Sequence, residues 1–189
     1  MVIINILMLS LVGVGLSALY LALWVLATVQ NKKWLSSLPV PIFILGFFDF
    51  INGMYLSYTW PMPSTYNLLF GNPLMLFGTL MLAGGYMLYK GTNPKILSLF
   101  GFFLGIFLII ESAAMYNYKL ESGQYLPPAF GLFLFSGISG LLAPVVYADS
   151  KGSGKYLYYI LFIFLILTML AAFFVGYMAI YSHLNPAGA

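Results

Sequence analysis

The sequence predicts an all-α integral membrane protein, a single bundle of six transmembrane helices with both termini on the outer side of the membrane. Three observations carry that prediction. Of 189 residues, 62% are apolar and only 6% are charged, whereas a soluble domain carries about 25% charge to keep its surface solvated. Six continuous apolar stretches each reach the roughly 20 residues a helix needs to cross about 30 Å of hydrocarbon. The lysines gather in alternate connections between those stretches.

The stretches run over residues 6–29, 39–60, 68–89, 96–118, 128–147 and 156–181. The first has no basic residue before it and no small-residue cleavage site after it, so a retained helix is expected rather than a signal peptide. The second opens on Pro39 and carries Asp49; the fourth carries Glu111. In the fifth, Pro144 removes a backbone donor and is expected to kink the helix. None alternates apolar with polar residues, so strands of a membrane barrel are excluded.

Orientation follows from the lysines. Lys32 and Lys33, Lys90 and Lys95, and Lys151 and Lys155 mark the first, third and fifth connections. The second has none and the fourth only Lys119. Basic residues are retained on the cytoplasmic side, so the odd connections are expected inside, in a cell membrane. Trp34, Trp60, Tyr89, Tyr118, Tyr147 and Tyr156 stand at the ends of the stretches, where an amphipathic ring rests at headgroup level.

Helices in lipid meet where small residues let backbones approach. Gly101 and Gly105 in the fourth stretch, Gly137 and Gly140 in the fifth, and Gly78, Gly84 and Gly85 in the third are the expected packing faces.

The same composition narrows the chemistry. Without cysteine there are no disulfides, thiolate metal sites or covalently attached haem. With His183 as the single histidine, bis-histidine haem is excluded too. No nucleophile–base pair, pair of acids at workable spacing or phosphate-cradling loop is present, so no enzyme activity and no cofactor are expected. The net charge of +3 is topology rather than a basic stripe, which excludes nucleic acid as a partner. His183 falls about 40 Å along an ideal helix from Tyr156, beyond the hydrocarbon, where an exposed interfacial position is expected.

Two acids fall inside the stretches. Asp49 lies about 15 Å from Pro39 along its helix, and Glu111 about 22 Å from Ile96. An acid at the centre of a span costs about 2.5–3.5 kcal/mol, so a function or a hydrogen-bonding partner is expected for each. Gly46, Asn52 and Gly53 share the face of Asp49, which therefore turns toward another helix. With no base beside it, its neutral form is expected, able to donate a hydrogen bond or carry a proton. Asp49, Asn52 and Glu111 are the candidate intramembrane polar or proton site.

The connection from Trp60 to Pro73 holds Pro61, Pro63 and Pro73 with Gly71, a fixed non-helical crossing. Trp60, Tyr66, Asn67 and Phe70 are its candidate partner-docking residues; a cap on the bundle is the other expectation. The pairs Trp60-Pro61, Tyr66-Asn67 and Phe70-Gly71, set between two spans, resemble a family of small polytopic membrane proteins of unknown function, found largely in archaea. That resemblance implies a multi-span membrane protein over most of the chain and brings no activity or catalytic residue with it.

The expected function is that of a non-catalytic accessory or structural subunit in a larger membrane complex, respiratory or otherwise energy-transducing. Its partners would be membrane lipids and other membrane subunits, with quinone or lipid in a groove. The step to such complexes is by analogy. The alternative is a small proton-coupled transporter or channel using Asp49 and Glu111.

Overall fold

A computed structural model describes residues 6–63, 65–121, 123–148 and 150–184. It contains six long helices: α1 (Ile6–Gln30), α2 (Pro39–Thr59), α3 (Asn72–Tyr89), α4 (Leu97–Asn117), α5 (Leu126–Leu141) and α6 (Lys155–Leu184). There is no strand among the described residues. With their flanking turns, all six are long and apolar enough to cross a membrane. Ser64 and Asp149 lie outside the described residues, as do the side chains of Lys33 and His183.

Proline and left-handed residues set the limits of the helices. Prolines occupy the first turns of α2, α3 and α5, where the missing N–H would have no helical partner anyway. Asn31, Gly91 and Lys119 adopt positive φ just past α1, α3 and α4. The chain then bonds back across the last turn, from Lys32 N–H to Ala27 O, Thr92 N–H to Met87 O and Leu120 N–H to Met115 O. One limit departs from the sequence reading. Pro144 does not kink α5; the helix has already stopped at Leu141, and Pro144 sits in the 3-10 turn Ala143–Tyr147.

Each helix packs against its neighbours in sequence, and α6 closes back onto α1. The result is a six-membered ring. Its tightest seam joins α2 to α3, and the reason is a ladder of glycines. Gly46 and Gly53 on one helix, and Gly71, Gly78 and Gly85 on the other strand of the hairpin, recur every seven residues. Gly85 abuts the backbone of Phe43, Gly46 that of Met81 and Leu82, Gly78 that of Asp49 and Phe50, Gly53 that of Leu74 and Met75, and Gly71 that of Ser57. No Cβ fits at any of these rungs. A second close seam joins α4 to α5, where Gly105 meets Gly140 backbone to backbone, with Gly101 and Gly137 alongside.

The outward faces stay apolar. Ile44, Phe47, Phe103, Ile110, Ile163 and Phe174 are all exposed, an arrangement that costs little only where the surroundings are hydrocarbon.

A methyl group added on a ladder rung must push two backbones apart. Gly78→Ala is expected to destabilise the fold by about 1–3 kcal/mol, the range for overpacking. Gly84→Ala, where an added Cβ meets only Leu97 at 3.8 Å, should be close to neutral. Thermal unfolding of the detergent-solubilised variants checks both.

Candidate functional site

Asp49 is fully buried where three helices meet. Its backbone rests on Gly78 of α3, and its side chain turns to α1. There Ser17 Oγ donates to Asp49 Oδ2 at 2.5 Å. Gly13, one turn away, leaves the space that Oδ1 fills: a Cβ on Gly13 would stand 2.5 Å from that oxygen. Oδ1 itself has no hydrogen-bond partner. Ser10, Gly13 and Ser17, at helical spacings of three and four, form the small polar stripe on α1 that marks this contact in the sequence; the sequence reading passed over it.

The other members of the candidate polar site are elsewhere. Asn52 donates from Nδ2 to Phe48 O at 2.9 Å, on its own helix, rather than to Asp49. Glu111 is half-buried on α4 and its Oε2 has no partner. Among the described residues no group of three His, Cys, Asp or Glu side chains comes together as a metal site.

The loop residues turn inward. Asn67 is fully buried and acts as a clasp: its Oδ1 accepts from Met62 N–H at 2.9 Å and its Nδ2 donates to Met62 O. That closes the loop between Pro61 and Pro63, which have no N–H to offer. Phe70 is buried edge-on against Phe133, ring centroids 5.4 Å apart. Tyr66 Oη donates to Leu120 O at 3.2 Å, tying this loop to the one after α4. Burial pushes the Tyr66 phenol above its ordinary pKa, and the Glu121 carboxylate adds to the shift, so the phenol stays a neutral donor. Of the four candidate docking residues, Asn67 and Phe70 are therefore unavailable to a partner, and Trp60 is the exposed one. Trp60 is also strained, at φ 52° and ψ 49°; the following Pro61 disfavours the right-handed helical region, and α2 ends there.

A further feature of the interior involves neither acid. A cavity of about 760 Å³ runs down the middle of the ring and is lined by all six helices. On α1 its wall extends from Leu7 to Thr28, about 32 Å at 1.5 Å per residue. The half toward the Trp60 loop is walled by aliphatic and aromatic side chains such as Leu11, Leu74, Leu132 and Phe133. Toward the lysine-bearing end the wall takes in Thr28, Asn93, Lys95, Ser98, Ser139 and Tyr158.

This architecture defines a class: a ring of six apolar helices, long enough to cross a membrane, around an elongated apolar cavity. Residues 1–186 match the family model described as "Protein of unknown function (DUF981)", and the chain belongs to that family. No curated protein and no solved structure matches it.

Removing the Ser17 hydroxyl leaves both carboxyl oxygens of Asp49 without a partner. Ser17→Ala is expected to cost about 1–3 kcal/mol. Asp49→Asn, which keeps the size and can still pair with Ser17, should cost less. Unfolding midpoints in detergent rank the two; an Asn variant less stable than the Ala variant would contradict the hydrogen-bonding role of Asp49.

Proposed function

We propose that this chain is a non-catalytic integral membrane protein that holds an apolar amphiphile, a lipid or quinone, in its central cavity and serves as an accessory subunit of a larger membrane complex. The cavity is the observation that carries this reading. Its volume falls within the roughly 300–1,000 Å³ of small-molecule sites. An apolar void of that size forfeits dispersion contacts along its whole wall unless something fills it. A bilayer surrounds it with amphiphiles. The non-catalytic part rests on composition, a single histidine, no cysteine and four acids in 189 residues.

The lysine-bearing end faces the cytoplasm in this reading, and both termini face outward, in a cell membrane. Because the chain lacks cysteine, single cysteines at Thr65 and Thr92 report on this directly. A membrane-impermeant maleimide should label the Thr65→Cys variant in intact cells, and the Thr92→Cys variant only after the cells are opened. The reverse pattern would invert the topology.

A second reading, a proton-coupled transporter, is favoured by the unpartnered oxygens of Asp49 and Glu111. Against it, neither acid lines the cavity, so they share no route with it or through it. Proton flux into liposomes that falls in Asp49→Asn would favour this second reading.

For the first reading, mild-detergent extraction followed by native mass spectrometry should find the 21.0 kDa chain with other membrane chains and with a bound amphiphile mass. A lone chain with nothing bound would overturn it.

A further inference from the structure

We infer that the cavity's occupant is an amphiphile with an anionic head, held with the head against Lys95 and the apolar part running toward Phe70. The inference rests on the reading of the cavity as a ligand site and adds the class and orientation of the ligand.

Polarity gives the orientation. The Phe70 end offers aliphatic and aromatic wall, and the Ser10 hydroxyl there is already bonded to Ile6 O. At the opposite end Ser139, 93% buried, contributes to the cavity wall. Ser98, also buried, lines the same wall one helix away.

Charge gives the class. Among lysines whose side chains are described, Lys95 alone is half-buried, and it alone lines the cavity. Its Nζ lies 5.7 Å from the centre of the Tyr147 ring, another lining residue. The described acids, Asp49, Glu111 and Glu121, all lie away from the cavity wall, and Asp149 is outside the described residues. A cation in the wall of an apolar cavity matches a carboxylate or phosphate head with a hydrocarbon tail.

The test uses the whole purified chain in detergent, with palmitate and the neutral monopalmitoylglycerol as probes. Lys95→Gln should weaken palmitate about tenfold or more, the effect of losing a hydrogen bond between charged groups, and leave the neutral ester unchanged. Lys90→Gln, an exposed lysine at the same end, should change neither. In a background of Trp34→Phe and Trp60→Phe, a nitroxide near the carboxyl end of the fatty acid should quench Trp24, which lines the lysine half, more than one near the methyl end. If both probes bind equally and Lys95→Gln affects neither, the anionic class fails while the cavity reading stands. Stronger quenching from the methyl end overturns the orientation. Saturable binding of neither probe overturns both.

Discussion

Backbone contact through glycine is the constraint on which the rest of this structure depends. In hydrocarbon, burying leucine against leucine gains nothing over leucine against lipid, so helices hold together only where they approach more closely than lipid can. The α2–α3 ladder supplies that approach at five levels, from Gly85 against Phe43 to Gly71 against Ser57. A spacing of seven keeps the glycines on one seam for the length of the hairpin, since two turns of an α-helix take 7.2 residues. Gly101, Gly105, Gly137 and Gly140 do the same over a shorter distance between α4 and α5. The α1–α6 seam is made differently, with Phe173 lying across Gly15.

The cavity is a consequence of these seams. Cylinders of equal width in a closed ring of six leave a hole the width of one more, about 10 Å for helices. Inward side chains fill part of it. They cannot fill all of it where the inward residues are Ala18, Gly84, Ser98, Gly101 and Gly140, and several of these are small because the seams require it. The residues that let the ring close also leave it hollow.

This explains what was legible in the sequence. Helix number, type and approximate limits depend on local hydropathy and proline placement, and a chain with 62% apolar residues displays both. Pro144 misled because a proline near a helix end acts as a stop rather than a kink, and only the 3-10 turn after Leu141 distinguishes the two. The GxxxG spacings stood out, whereas the ladder did not: the spacing of seven lies within each helix, but that its two halves interleave shows only once α2 and α3 are set side by side. The cavity wall was invisible for a similar reason, being drawn from all six helices with no local period. Asn67 and Phe70 were noticed for their types, but a rigid loop between helices can dock outward or plug inward. What decides is the fit to Phe133 and Met62, residues that no local pattern links to them.

Asp49 and the two ends of the bundle complete the argument. Asp49 is buried against Ser17 at the level where Gly78 meets its backbone, so a hydrogen bond joins α1 to α2 beside the tightest seam. The ring is then fastened unequally. At the Trp60 end, Tyr66 ties the α2–α3 hairpin to the loop after α4, and Phe70 packs edge-on against Phe133. At the lysine end, the joint between α3 and α4 is looser: Gly84 and Leu97 face each other with room for an added carbon. The ties there, Tyr158 Oη to Val146 O and Ala148 O at 3.2 and 3.3 Å, bind α6 to the turn after α5, while the short connection from Lys90 to Ile96 joins α3 to α4. Lys95, Ser98 and Ser139 of the cavity wall stand at this lysine-bearing end, opposite the packed rings of Phe70 and Phe133.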